Sequence, residues 1–215
     1  MLTALYIILI TAIAVGIITL IWRVSSKRSS IPCPAWLGLL VEMENPVFRN
    51  NHSRTIIKNS EIEPGMKVLD FGCGPGRVTI PTAIAVGPTG SVSALDIQAD
   101  MLEKVRIKAE KADIYNIEYL RSAAGEGKLG EHRYDRVLLV NVIGEIPDWD
   151  TALKEIFNSL KPGGILSVTE VIADPHFQTG KKVTVAAEKA GFIKINHFGS
   201  PVSYTALFEK PGFAT

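Results

Sequence analysis

From residue 64 onward, short apolar runs alternate with stretches whose apolar residues recur at helical spacing. Val68, Leu69 and Phe71 make the first run, bounded by Gly65 and Gly72, the pattern of a short buried strand. An apolar, helix-like stretch follows over residues 77–86, then a strand over 91–96 and a helix over 101–112. On that helix Met101, Leu102, Val105 and Ala109 share one face. Residues 117–120 predict a short third strand, and 136–142, apolar throughout after Arg136, a central parallel strand buried on both faces. A helix over 152–160, capped by Asp150 or Thr151, leads through Pro162-Gly163-Gly164 into a strand over 165–172. A last helix over 181–190 ends at Gly191, and residues 192–198 and 204–209 predict an antiparallel pair joined through 199–201. Strands alternating with helices predict a doubly wound α/β sheet.

Ahead of this alternation the pattern changes. Residues 2–22 carry no charge and are interrupted only by Thr3, Thr11, Thr19 and Gly16. At 1.5 Å per residue such a helix spans about 30 Å, the hydrocarbon thickness of a bilayer. Tyr6 and Trp22 stand near its ends, where amphipathic rings favour the interface. No Lys or Arg precedes the run and it exceeds the h-region of a cleaved signal peptide, so it reads as a single transmembrane anchor. Arg23, Lys27 and Arg28 follow at once, which orients the rest of the chain toward the cytoplasm. Residues 25–34 read as a polar, proline-punctuated linker. Residues 35–43, with Trp36, Leu37, Leu39 and Leu40, suit a helix on the membrane, a helix over the active site, or ordinary core. Residues 48–60 predict a helix leading into the first strand. The expected division is an anchor over 1–22, linker and lead-in helices over 23–60, and a catalytic domain over 61–215.

Composition narrows the function. The 215 residues have a formal net charge of +1, and Lys and Arg are spread along the chain, without the basic patch of a nucleic-acid binder. The two cysteines, Cys33 and Cys73, form no C-x-x-C, and give neither a disulfide framework nor a metal site.

Chemistry concentrates in residues 68–76, V-L-D-F-G-C-G-P-G. Gly72, Gly74 and Gly76 are expected to bring backbone N–H groups close to a ligand where a Cβ would collide with it. Asp96 closes the second strand, where nucleotide-binding α/β folds present an acid to a ribose. The dinucleotide fingerprint G-x-G-x-x-G fails at Arg77, and no Y-x-x-x-K pair is present, which disfavours a nicotinamide oxidoreductase.

The wording D-x-G-x-G-x-G instead closely resembles motif I of the class I S-adenosylmethionine (SAM)-dependent methyltransferases. The likeness continues through S-V-S-A-L-D at 91–96, residues 136–142, and L-K-P-G-G-I-L-S-V-T-E-V at 160–171, and covers roughly residues 64–211. It implies a mostly parallel, Rossmann-like sheet of seven strands whose last pair is antiparallel, with SAM as cofactor. By resemblance, Gly72, Gly74 and Gly76 wall the amino-acid part of SAM, and Asp70 supports its ammonium end. Asp96 would accept both ribose hydroxyls, Ile97 would pack on the adenine, and Asn141 would line the methionine end. Many members carry an acid before alanine after strand three; here Ser122-Ala123 stands there, with the Ser122 hydroxyl as substitute acceptor for the adenine amino group.

Residues 141–147 are not the Asn-Pro-Pro-aromatic motif of enzymes that methylate base amines. Glu145, Glu170, Asp174 and His176 are the candidates to orient the acceptor or take its proton, and Tyr204 is a candidate lining residue. The chain looks similar to the branch containing quinone and sterol carbon methyltransferases. With an anchor, that implies a small or lipid-like acceptor at the membrane. Alternatives are a side chain of a membrane protein as acceptor, and an inactive SAM-binding scaffold.

Overall fold

The computed structural model describes residues 47–212, together with Tyr6, Ile10, Thr11, Ile13, Glu42 and Glu44. The expected anchor, linker and helix over 35–43 lie outside the described residues but for those positions. Among the described residues no helix is long and apolar enough to cross a membrane.

In chain order the elements are α1 (Ser53–Asn59), β1 (Lys67–Phe71), α2 (Thr79–Val86), β2 (Ser91–Asp96), α3 (Ala99–Lys111), β3 (Ile117–Arg121) and β4 (Tyr134–Val140). There follow α4 (Trp149–Ser159), β5 (Leu160–Val171), α5 (Gly180–Lys189), β6 (Ile193–Ser200) and β7 (Ser203–Glu209). Seven strands form one sheet in the order β3-β2-β1-β4-β5-β7-β6. β1 to β5 are parallel, while β7 runs antiparallel to both β5 and β6, so the sheet is mixed. The last strand in sequence lies between β5 and β6, which leaves β6 at the edge with Ile193 and Ile195 exposed.

Period-two alternation assigns the strand residues to two layers. Leu69 and Phe71 of β1 and Val137 and Leu139 of β4 pack with Leu153 and Ile156 of α4 and Val183 and Ala187 of α5. Val68 and Leu138 point to the opposite face, against Ile56 of α1 and Ala83 and Val86 of α2. Leu102 and Val105 of α3 close that side over Cys73 and Ala94. With both faces covered, the central strands read as unbroken apolar runs. The strand order reverses between β1 and β4, the switch point at whose carboxyl ends α/β folds bind ligands.

Several boundaries move for local reasons. β4 stops at Val140 because Asn141 takes φ +54 and turns out of the ladder. β5 starts early: Leu160 pairs with Tyr134, and the register resumes only at Arg136 and Ile165, so Lys161-Pro162-Gly163-Gly164 bulges between them. α4 begins at Trp149, capped neither by Asp150 nor by Thr151. Asp148 is the cap, accepting the Thr151 N–H at 3.1 Å and its hydroxyl at 2.6 Å. Asn51 and Ile56, in the expected lead-in to the first strand, are buried.

Candidate functional site

The loops after the five parallel strands β1 to β5 line one cavity of about 570 Å³. The loop after β1 turns at once. Gly72 has φ +74, and a Cβ there would stand 2.3 Å from Cγ2 of Val142. Only glycine meets both conditions. The N–H groups of the loop are satisfied inside the protein. Gly72 donates to Leu95 O at 2.8 Å, Gly76 to Cys73 O at 3.1 Å, and Gly74 to Asp96 Oδ2 at 3.0 Å. This corrects the expectation of donors aimed at a ligand. What Gly74 offers the cavity is bare space, with nothing within 4 Å of the position a Cβ would take. Cys73 is buried beside it, and burial pushes its thiol well above the usual range.

Asp96 closes β2 on the cavity wall, one oxygen held by Gly74 and the other accepting the Gln98 N–H at 2.9 Å. The Ile97 backbone also hydrogen-bonds to this carboxylate, which has room for a further donor. Burial raises the Asp96 pKa, opposed by those backbone hydrogen bonds. Asp70 faces α2, accepts the Thr79 hydroxyl at 2.6 Å, and lines the same cavity. Burial pushes its pKa to about 6, against the Thr79 bond and the Arg77 charge.

Ile97 lines the cavity with a partly exposed side chain, and Ser122 lines it fully buried. The Ser122 hydroxyl is turned to Ala123 O at 3.1 Å and Glu126 Oε2 at 3.0 Å, so only its lone pairs are left for a ligand. Asn141 donates to Asn51 Oδ1 at 3.2 Å, while its own Oδ1 is buried without a hydrogen-bond partner.

Two residues on this wall were not identified from sequence as binding groups. Arg77 donates to Asn51 O at 2.5 Å and Asn51 Oδ1 at 3.3 Å, and its guanidinium lies 3.9 Å from Glu44. Arg77 and Asn51 both line the cavity. A cation directly after the glycine loop was the available signal for Arg77. Nothing local marked Asn51, which the chain delivers from ahead of β1.

The opposite wall brings together Glu145, Asp174 and His176. The His176 imidazole is buried, with Nδ1 3.5 Å from Glu145 Oε1 and 3.9 Å from Asp174 Oδ1. Burial lowers its pKa, which keeps the ring neutral at pH 7. Gly144 makes this approach possible, because a Cβ there would stand 2.0 Å from His176 O. Glu170 and Tyr204 are different: both are buried register partners on β5 and β7, and neither lines the cavity. Among the described residues no cluster of His, Cys, Asp and Glu forms a metal site.

The acceptor-rich wall fits a ligand bearing hydroxyls and an ammonium group. Asp96 has room for a hydroxyl donor, and the orphaned Asn141 Oδ1 is an acceptor without a donor. The comparisons with known proteins agree with this. Residues 47–184 match the ubiE/COQ5 methyltransferase family, and the chain belongs to it. It is 32% identical over 127 residues to a demethylmenaquinone methyltransferase of Listeria welshimeri, covering 59% of this chain and 53% of that one. The chain thus spans about half the length of the curated relatives it matches. A SAM-dependent methyltransferase from Aquifex aeolicus has the same fold, with TM-score 0.73 and 20% identity, covering 83% of this chain and 98% of that one. So does the [4+2]-cyclase SpnF, with TM-score 0.67 and 15% identity over 74% of this chain and 80% of that one. One fold thus serves different chemistries, and the site has to carry the argument.

The Gly72 geometry is directly testable. Gly72→Ala is expected to destabilise the fold by about 2–4 kcal/mol, from left-handed backbone strain together with overpacking against Val142. Urea unfolding measures this, and a loss below about 0.5 kcal/mol would contradict the close approach.

Proposed function

We propose that this chain transfers the methyl group of SAM to a quinone-like, lipid-soluble small molecule. The observation that carries the reading is the cavity's two-sided character: buried acids beside the glycine turn, open at Gly74, on one wall, a neutral histidine between carboxylates on the other. SAM, when bound, supplies a methyl group on a positively charged sulfur. Asp96 would hold the ribose hydroxyls, Ile97 the adenine, and Asp70 with Asn141 Oδ1 the ammonium end. Arg77 carries the sign a carboxylate needs at the same end. Ser122 has lone pairs for the adenine amino group.

The acceptor enters past Glu145, Asp174 and His176, and the site's first task is to align it with the methyl, for which proximity is worth roughly 7–11 kcal/mol. A quinone ring is electron-poor, so its reduced, hydroxylated form is the nucleophile. As the ring atom bonds to the methyl, the sulfur–methyl bond breaks, its electrons stay on sulfur, and the ring loses one proton. Glu145 and the neutral His176 would orient the hydroxyl or take that proton, a reading that their 3.5 Å approach on the cavity wall supports. The name of the Listeria relatives supports the quinone-like acceptor.

The membrane anchor over residues 2–22, with the domain on the cytoplasmic side, belongs to the same proposal. It rests on the uncharged run and on Arg23, Lys27 and Arg28. The full chain should stay in the membrane pellet after carbonate extraction; its release would remove the anchor.

Binding tests the cofactor wall. Asp96→Ala should weaken SAM binding by about 1.5–3 kcal/mol through loss of a charge-assisted acceptor. Because the Asp70 pKa is raised to about 6, that carboxyl is mostly ionised at pH 7 and protonated at pH 5. A cationic ligand favours the ionised form, so calorimetric affinity should fall as pH drops through about 6. Asp70→Asn should flatten that dependence, and a profile identical to wild type would remove Asp70 from the ammonium end.

Turnover tests the reaction. Glu145→Gln keeps the shape and removes the charge, so SAM affinity should hold. Methylation of a reduced short-chain demethylmenaquinone should fall by about 10²-fold if Glu145 takes the proton, and by less if it orients. No methyl transfer to that quinol by the wild-type chain would overturn the acceptor class.

A further inference from the structure

The loop between β5 and α5 carries Asp174 and His176 into the cavity wall, yet its own backbone makes only two turns, Asp174 to Val171 O and Phe177 to Asp174 O. The Ile172 N–H also donates to Val202 O at 2.8 Å and the His176 N–H to Asp174 Oδ1 at 2.7 Å, and the remaining ties run through Gln178. Its N–H donates to Glu170 Oε2 at 2.8 Å, and its carbonyl accepts the Tyr204 hydroxyl at 2.9 Å. Its side-chain Nε2 donates to His176 O at 2.8 Å, and its Oε1 accepts from Lys182 Nζ at 2.8 Å. All four polar groups of this residue are therefore engaged within the chain.

Two features separate this arrangement from ordinary loop packing. Glu170 and Tyr204 are register partners on β5 and β7, so the Gln178 peptide is gripped on both sides by a rigid sheet. Phe177 packs edge-on against the Tyr204 ring, with centroids 6.3 Å apart. The second feature is energetic. Glu170 is 1% exposed and its Oε1 has no hydrogen-bond partner. Burial pushes its carboxyl well above the usual range, opposed by the hydrogen bond from the Gln178 N–H. An apolar side chain would fill the site without the cost of burying a polar group. What the carboxyl does there is hold Gln178, and Gln178 holds the carbonyl that presses on Gly144, next to Glu145.

We propose that Gln178, clamped by Glu170 and Tyr204, is the positioning residue of the acceptor-side wall. Its amide fixes the backbone of His176 and so the imidazole beside Glu145 and Asp174. This makes Glu170 a member of the clamp, one layer behind the cavity, with no direct part in proton transfer. Only the turnover arm of the test rests on the methyl-transfer reading above.

The experiment compares Gln178→Ala, Gln178→Glu, Glu170→Leu and Glu170→Gln in the full chain. Three readouts are taken: calorimetric SAM affinity, the His176 ring titration by NMR, and KM for reduced short-chain demethylmenaquinone. In the wild type the His176 ring should titrate below the ordinary value, because it is buried. In Gln178→Ala and Glu170→Leu it should move back up toward that value as the loop admits water. SAM affinity should not change, and the acceptor KM should rise by about tenfold as alignment is lost. Gln178→Glu, which keeps the Lys182 contact and removes the donor to His176 O, should follow them. Glu170→Gln keeps the side-chain length and an acceptor oxygen for the Gln178 N–H and should match the wild type throughout.

A role limited to fold stability would lower the melting temperature and leave the His176 titration and the acceptor KM in place. That result, in any folded member of the first three variants, overturns the proposal. Damage by Glu170→Gln equal to that by Glu170→Leu overturns it too. If the quinol is not methylated at all, the reading of the function fails, and the His176 titration still decides the clamp.

Discussion

Everything at the ligand end of the sheet depends on how closely β1 and β4 finish. Gly72 passes so near Val142 that no side chain fits between them, and both chains must leave the sheet in restricted directions. On one side this forces the left-handed glycine turn, whose Gly74 N–H then meets the Asp96 carboxylate. On the other it goes with the left-handed Asn141, which ends β4 and faces its amide toward Asn51. A single steric contact thus coordinates the acid, the amide and the open glycine wall.

Burial of carboxyls is the second recurring theme. Asp70, Asp96 and Glu170 are all withdrawn from water, and desolvation raises each pKa. Their surroundings divide them. Asp70 and Asp96 are partly compensated by a hydroxyl or by backbone N–H groups and open onto the cavity, where a cation or hydroxyl donors can complete them. Glu170 has one backbone partner and no access to the cavity. In the roles we propose, the same chemical group would serve recognition in two cases and positioning in the third.

Membership of the ubiE/COQ5 family and a sheet shared with both a methyltransferase and a cyclase frame these residues without assigning their roles. The wall of Glu145, Asp174 and His176 differs in character from the wall of Asp70 and Asp96: a neutral imidazole among carboxylates, against buried acids beside the glycine turn. That asymmetry suits the transfer we propose, in which one side would bind a cationic donor and the other would take a proton from the acceptor.

Much of this was legible in the chain itself. The strand–helix alternation, the glycine turn and the acid at the end of β2 are written in local periodicity and in residues with unusual backbone freedom. A period of two or 3.6 reports which face is buried wherever the chain ends up. Tertiary structure decided the rest. Asp148, Asp150 and Thr151 are all competent caps in sequence, and only the path of the chain selects Asp148. The insertion of β7 between β5 and β6 follows from pairing across the sheet, which local pattern does not encode. Glu145, Glu170 and His176 look equivalent as strand-end groups, yet strand alternation and the Gln178 clamp leave only Glu145 and His176 on the cavity. The glycine N–H groups turned inward because the protein supplies their acceptors, and Asn51 reached Arg77 from far along the chain. Which polar groups meet across such separations is decided by three-dimensional packing, where burial makes it costly to leave a donor or acceptor without a partner.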